Sequence, residues 1–209
     1  MNKTNRQAGE DEEEPLVIGT KSGLVISRKQ KVDADFYLDG YIVDVAAYRD
    51  VLHYINNMEQ GEELRIWVDT YGGSVDTTQR LIQALHNTKG TVVVIGAGMA
   101  YSAGSLLFLQ AQQIVVTANM TMMIHAVSYG DYGKQGEMVA SHEFNHKMIN
   151  RLMDETYKGF LTPAEIQAVK DGKDFYFDSE EITRRLSERE RLQEIELNKK
   201  TRKKTPKVS

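Results

Sequence analysis

The chain has 209 residues, of which 41% are hydrophobic and 27% are charged, and this composition favours one globular domain with a sizeable core. A net charge of −4 argues against attraction of the whole surface to nucleic acid, and the absence of cysteine excludes disulfides and thiolate metal sites. No stretch of about 18 apolar residues occurs, so we expect no membrane partner. The polar N-terminus lacks an apolar signal core, and we therefore expect a cytoplasmic protein.

Both ends of the chain carry blocks of like charge. Residues 10–14 are acidic, and residues 199–204 are mostly basic. Such blocks are typical of solvated tails, although the basic block could also dock an acidic partner. We expect a flexible arm over residues 1–31, a folded domain over residues 32–185, and a charged helix with a basic tail over residues 186–209.

Hydrophobic periodicity predicts strands alternating with helices from residue 36 onwards. Strands are predicted at residues 36–42, 62–69, 91–95, 114–117, 122–125 and 174–177, and helices at residues 45–58, 74–87, 102–111, 137–160 and from 178 onwards. A further helix begins at Thr162, because a capping threonine, a proline at the first helical position and Glu165 form a strong start signal. This alternation predicts an α/β fold of βαβ units with a mainly parallel sheet.

Three polar residues lie at the ends of predicted core elements and suit a hydrolytic triad. Ser102 lies in a tight turn between an apolar strand and an apolar helix, His125 ends an apolar strand, and Asp174 opens an aromatic strand. A serine hydroxyl becomes a nucleophile when an imidazole takes its proton and a carboxylate orients that imidazole. The backbone N–H groups of Gly73 and Ala103 could stabilise the resulting oxyanion. Alternatively, Ser102 is a small residue that packs in a tight turn, and Gly72 and Gly73 form an ordinary turn between a strand and a helix.

Four short segments carry a resemblance to a known family. They are Thr-Tyr-Gly-Gly-Ser at 70–74, Met-Ala-Tyr-Ser-Ala-Gly at 99–104, Met-Ile-His at 123–125 and Lys-Asp-Phe-Tyr at 173–176. In order and approximate spacing they resemble ClpP, the proteolytic subunit of Clp protease, over about residues 35–182. The resemblance implies a ClpP/crotonase-like spiral of βαβ units with a protruding handle helix after Gly133.

The resemblance also implies a function for residues 32–185. They would form a serine endopeptidase domain with Ser102 as nucleophile, His125 as general base and Asp174 as orienting carboxylate. The oxyanion hole would come from the backbone N–H groups of Gly73 and Ala103. The family further implies stacked rings of identical subunits that enclose the active sites, substrates that are peptides or unfolded proteins, an AAA+ ATPase unfoldase as partner, and no cofactor.

The chain departs from the family pattern at both of its ends and at three places within the matching segments, and it resembles a divergent member. Thr-Tyr stands at 70–71 where the family has Ser-Pro, and Tyr101 stands where the family has a small residue. Gly-Lys stands at 172–173 in place of the Glu-Arg pair that helps to couple the rings.

Two other interpretations remain open. His142, Glu143 and His146 match H-E-x-x-H, the pattern of a zinc peptidase, on a predicted helix. Their helical arc is shared with Ile149 and Met153, which favours packing or subunit contact over metal binding. The third interpretation is a non-catalytic structural subunit of a ClpP-like assembly.

The methionines around the triad suggest an apolar substrate pocket. Met99, Met120 and Met122 lie close in sequence to Ser102 or His125. An apolar pocket beneath the serine and an ordinary set of core methionines are equally good interpretations.

Overall fold

The computed structural model describes residues 16–18, 24–29, 31–128, 130 and 133–204. Within these residues the strands are β1 (Leu16–Ile18), β2 (Leu24–Lys29), β3 (Lys31–Ile42), β4 (Glu63–Gly73), β5 (Thr91–Tyr101), β6 (Gln113–Val116), β7 (Thr121–Ile124) and β8 (Phe175–Asp178). The helices are α1 (Arg49–Asn57), α2 (Val75–Asn87), α3 (Ala103–Gln110), α4 (Gln135–Tyr157), α5 (Pro163–Lys170) and α6 (Ser179–Lys204), and a 3-10 turn at Val45–Tyr48 precedes α1.

The strands form one twisted sheet in the order β1-β2-β3-β4-β5-β7-β8. The pairs β3–β4, β4–β5 and β5–β7 are parallel, and β6 runs parallel to a different stretch of β5. Strands β1, β2 and β8 are antiparallel to their neighbours. The prediction of an α/β fold with a mainly parallel, ClpP-like sheet is therefore confirmed.

The sheet extends into segments where the sequence suggested turns. Strand β3 continues through Gly40, where its register with β4 shifts by one residue. Strand β4 continues through Gly72 and Gly73, which pair with Tyr41 and Ile42. The glycines do not end the strand, because β3 offers them a partner along the whole length of β4.

The ends of the chain are only partly described. Within residues 1–31, β1 and β2 form antiparallel pairs that lead into β3, and the acidic block at residues 10–14 lies outside the described residues. At the other end, α6 runs without a break across residues 185–186, and residues 205–209 lie outside the description. The three-part division of the chain stays a proposal.

Helix α3 is buried along nearly its whole length. Every residue from Ala103 to Leu109 is buried, so this helix is apolar all round, as is typical of a helix inside a core. At its C-terminus, Arg189 of α6 donates a hydrogen bond of 2.8 Å from Nη1 to the carbonyl of Leu109. The residue that precedes α3, Ser102, is therefore attached to a rigid element.

Helix α4 matches the predicted handle in place and length. Its buried residues, Met153, Thr156 and Tyr157, all lie near its C-terminal end. There the Tyr157 hydroxyl lies 2.9 Å from the Ser105 hydroxyl of α3, and burial raises the pKa of the tyrosine, which keeps it neutral. The base of the handle is thus joined to the helix that follows Ser102. None of the described helices has an apolar stretch long enough to cross a bilayer.

Helix α5 starts with the predicted capping box. Glu165 Oε2 accepts the backbone N–H of Thr162 at 2.8 Å, and the Thr162 hydroxyl accepts the N–H of Glu165 at 3.2 Å. Arg185 of α6 adds two hydrogen bonds, of 2.8 and 3.0 Å, to the two oxygens of Glu165. These bonds from Arg185, with those from Thr162, lower the pKa of Glu165 from 4.5 to about 2.

We expect Glu165→Gln to lower the free energy of unfolding by about 1–2 kcal/mol at neutral pH, because glutamine keeps the cap but loses the charge that faces Arg185. The folded pKa lies below the unfolded value of 4.5, so this stability exists above that value and is lost as pH falls towards about 2. Urea denaturation of both proteins across this range measures the difference. The difference in unfolding free energy should become smaller as the pH falls. A difference that does not change with pH would contradict the role given to the charge of Glu165.

Glu155→Gln provides the matched control for this prediction. Glu155 pairs with Arg151 at 2.8 Å, but its side chain is 60% exposed. An exposed pair of this kind contributes at most about 0.5 kcal/mol. Equal losses in the two variants would show that Glu165 has no special role.

Candidate active site

Ser102 and His125 are in direct contact. The Ser102 Oγ atom lies 2.7 Å from His125 Nε2, across 23 residues of sequence. Strand β5 ends just before the serine and β7 ends just before the histidine. The parallel pairing of β5 with β7 therefore brings the two side chains to the same end of the sheet.

The backbone of Ser102 adopts an unusual conformation. Among the described residues, Ser102 is the only one other than glycine with a positive φ, at 52°. Its N–H donates to the carbonyl of Met123 at 2.8 Å, and its carbonyl accepts from the N–H and the hydroxyl of Ser105 at 2.9 and 2.7 Å. Strained backbone of this kind persists only where the surroundings fix it, and it is common at functional sites.

Asp174 and His125 flank the last paired residues of β7 and β8, and among the described residues no hydrogen bond joins their side chains. The antiparallel pairing of β7 and β8 ends with Ile124 opposite Phe175. His125 directly follows Ile124, and Asp174 directly precedes Phe175, so the two residues would form the next pair. Directly opposite residues present their side chains to the same face of a sheet. Among the described residues, no hydrogen bond joins this carboxylate to the imidazole, and Asp174 is exposed. The role of Asp174 stays a proposal.

Gly72 lies against the serine turn, whereas a Cβ atom on Gly73 would meet the backbone of Ile42 in β3. A Cβ atom on Gly72 would stand 2.6 Å from Ser102 Cβ and 3.0 Å from Ala103 N, and Gly72 has a φ of +89°. Only glycine allows the backbone of β4 to approach the serine this closely. Ala103 begins α3, where N–H groups have no partner within the helix. Gly73 and Ala103 thus remain the proposed oxyanion donors.

Thr70 and Asp69 support the site, and the sequence reasoning missed both. The buried Thr70 hydroxyl donates to Gly40 O at 2.6 Å and accepts from the N–H of Gly72 at 3.1 Å, which fixes the bulge that precedes the glycines. Asp69 Oδ1 accepts the N–H of Met99 at 2.8 Å and so positions the end of β5. The sequence signal that could have identified them is the presence of two polar residues at the carboxyl end of an apolar strand.

We expect Gly72→Ala to lower peptide cleavage by roughly 10²–10³-fold, because the added methyl group displaces the glycine loop from Ser102 and disturbs the proposed oxyanion donors. Steady-state kinetics with a fluorogenic peptide would measure the loss. Gly61→Ala is the matched control, because Gly61 has a similar φ of +97° with nothing within 4 Å of the added Cβ. Similar losses in the two variants would mean that backbone strain, and not contact with the serine, causes the effect.

A cleft of about 520 Å³ opens beside Gly73. It is lined by Gly73, Ser74, Val75, Asp76, Gln79, Val127, Ser128, Gly130, Phe144, Asn145, Met148 and Ile149. The methionines considered for an apolar pocket are not among these residues. Met120 and Met122 are 1% and 0% exposed, which confirms the interpretation of these two as core residues.

The H-E-x-x-H residues lie on the handle. His142 and His146 are both exposed, with ring centroids 6.2 Å apart and an angle of 20° between the ring planes. Among the residues that the structure describes, no group of three or more His, Cys, Asp or Glu side chains is placed to hold a metal ion. The structure therefore adds no third ligand to the histidine pair.

Two known proteins and one family model that match this sequence all carry the name Clp protease. The ATP-dependent Clp protease proteolytic subunit of Paracoccus denitrificans is 26% identical over 165 residues, which cover 78% of this chain and 81% of that protein. Subunit 3 of the same name from Rhizobium etli is 26% identical over 122 residues, and the match covers 57% of this chain and 63% of that relative, less than two thirds of its length. The model of the Clp protease family matches residues 36–184, a range that includes Ser102, His125 and Asp174. The chain therefore belongs to the Clp protease family.

Proposed function

We propose that the protein is a serine endopeptidase that hydrolyses peptides or unfolded proteins with Ser102, His125 and Asp174. The observation that carries this proposal is the 2.7 Å contact between Ser102 Oγ and His125 Nε2, made by a serine with a positive φ at the N-terminus of a buried helix. A hydroxyl that only filled space would need neither the imidazole nor the strained turn.

The proposed reaction has two halves. Ser102 Oγ attacks the peptide carbonyl carbon while His125 Nε2 takes the hydroxyl proton, and the oxyanion accepts hydrogen bonds from the N–H groups of Gly73 and Ala103. The imidazolium then protonates the leaving amine, and the C–N bond breaks to give an acyl ester on Ser102. Water attacks this ester as His125 takes its proton, and the second oxyanion collapses with cleavage of the C–Oγ bond while the imidazolium returns the proton to Ser102 Oγ, which releases the acid and restores the serine. Asp174 orients the imidazole and stabilises its charged form.

We propose that this site works inside a homo-oligomer of stacked rings. Exposed apolar side chains on the handle support the assembly, because exposed apolar patches commonly mark protein contacts. They are Met138 and Val139, which do not line the cleft beside Gly73. The two relatives are named as ATP-dependent subunits, and an AAA+ ATPase unfoldase is the corresponding proposed partner for this chain in the cytoplasm.

Treatment with a fluorophosphonate followed by mass spectrometry tests the proposal, because the reagent labels only an activated serine. We expect one adduct, on Ser102, and loss of peptide cleavage in proportion to labelling. Labelling of another residue, or cleavage that persists in the fully labelled protein, would refute the mechanism. A chelator should leave cleavage unchanged, whereas a zinc peptidase using His142 and His146 would lose it.

One observation keeps a second candidate, a non-catalytic structural subunit. Asp174 is exposed and, among the described residues, makes no hydrogen bond to His125. A structural subunit would remain unlabelled by itself and would acquire no activity at any assembly state. Labelling across sedimentation fractions therefore separates the two functions.

A further inference from the structure

Of the residues that the structure describes, one charged side chain lines the cleft beside Gly73. Its walls come from the first turns of α2, from the segment after His125, and from the middle of α4. Among the described residues, Asp76 is the only lining residue with a charge, and it is an exposed residue of the first turn of α2. The cleft therefore presents a carboxylate close to the oxyanion loop.

Asp76 has no partner for its charge among the described residues. No hydrogen bond or ion pair to its carboxylate is found there, and no lysine or arginine lines the cleft. The nearest cation along the same helix face, Arg80, donates its hydrogen bond to Gln83 at 3.3 Å. An incoming cation would therefore meet a carboxylate that pairs with no described cation, although Arg80, one turn along α2, lines a second depression with it.

The rest of the lining suits a long aliphatic stem. Val75, Val127, Met148 and Ile149 provide apolar walls, while Gln79 and Asn145 provide amide groups. Lysine and arginine place their methylene stems on apolar surface and keep the charged group with polar partners. An apolar side chain in the same place would cover the carboxylate without replacing its hydration, and an acidic one would be repelled.

The position of the cleft fixes which substrate residue enters it. Gly73 is both a wall of the cleft and a proposed donor to the oxyanion, so the attacked carbonyl would lie next to the cleft entrance. Val127, two residues beyond His125, is another wall of the cleft. The side chain nearest to the cleft is therefore that of the residue whose carbonyl is attacked.

We propose that Asp76 makes the enzyme prefer cleavage after lysine or arginine. This inference rests on the proposed peptidase function and adds to it the class of residue that precedes the cleaved bond.

Peptides that differ at one position test the preference. Three fluorogenic peptides would carry lysine, norleucine or glutamate before the cleaved bond, and the ratio of their kcat/KM values would be measured. We expect lysine to be preferred over norleucine, and Asp76→Asn to lower that ratio about tenfold. Asp76→Lys should favour glutamate over lysine. Each ratio compares two substrates in one protein, so changes in folding or assembly cancel.

Asp50→Asn is the matched control. Asp50 is likewise an exposed residue in the first turn of a helix, α1, but it does not line the cleft. The variant should leave the lysine-to-norleucine ratio unchanged. Equal cleavage after lysine and norleucine, or a preference that survives Asp76→Asn, would overturn the inference and leave the peptidase proposal intact.

A binding measurement separates failure of the cleft from failure of catalysis. Product peptides ending in lysine or norleucine would be titrated calorimetrically into Ser102→Ala protein, with and without Asp76→Asn. We expect about tenfold tighter binding of the lysine peptide, and loss of this difference without Asp76. If the unmodified protein cleaves no peptide, the peptidase proposal fails, and the titration still decides whether the cleft selects a cation.

Discussion

Replacing Ser102 by alanine should lower peptide cleavage by roughly 10⁴–10⁶-fold and leave the fold intact. The substitution removes one oxygen atom, whose hydrogen bond is to His125 Nε2. The bonds that fix the turn are made by the backbone of Ser102, and alanine retains them. Endpoint and steady-state assays with one fluorogenic peptide would measure the rate of cleavage. Circular dichroism would report the fold, and sedimentation would report the assembly.

Ser187→Ala is the control for this variant. Ser187 is exposed on α6, where its hydroxyl donates to the carbonyl of Thr183 at 3.0 Å. Its removal should leave both cleavage and fluorophosphonate labelling unchanged. Cleavage by Ser102→Ala within tenfold of the unmodified protein would mean that another group is the nucleophile.

Local signals in the sequence were sufficient to predict several elements. Ser74 caps α2 by accepting the N–H of Thr77 at 3.2 Å, and Asp178 caps α6 by accepting the N–H of Glu181 at 2.9 Å. The two helices were predicted to begin at these residues, because a cap depends on residues only three positions apart in the sequence. The alternation of these elements then defined the fold class.

Features that depend on strand pairing were harder to predict. Nothing near Gly72 in the sequence shows that β3 continues alongside it, so the glycines suggested the end of a strand. The role of Thr70 depends on Gly40, which is 30 residues away. Tertiary contacts of this kind decide the length and register of strands, and a single sequence does not contain them explicitly.

In the candidate site, too, some features could be predicted from local sequence and others depend on tertiary contacts. The strand ends carrying Ser102 and His125 were predicted, and their contact follows once β5 and β7 are parallel neighbours. The absent bond between His125 and Asp174 could not be predicted, because it depends on the rotamers of two side chains that the register only places opposite each other. Asp76 was not singled out, since only the fold brings α2, α4 and the segment after His125 around one cleft.

Replacing Asp174 by asparagine should lower kcat by roughly 10⁴-fold, with a much smaller change in KM. Asparagine keeps the size of the side chain but cannot stabilise the imidazolium that forms as Ser102 is acylated. The register supports the assignment, because His125 directly follows β7, Asp174 directly precedes β8, and Ile124 pairs with Phe175. Kinetics of the assembled protein would give kcat and KM separately.

The prediction for Asp174→Asn has a matched control and an outcome that would contradict it. Asp171→Asn changes a carboxylate three residues earlier, which accepts a hydrogen bond of 2.9 Å from Gln167, and it should leave kcat unchanged. If Asp174→Asn retains kcat within a few-fold while Ser102→Ala is inactive, the nucleophile and base act without this carboxylate. In that case the separation of Asp174 from His125 would be a property of the working enzyme, and the site would be a dyad.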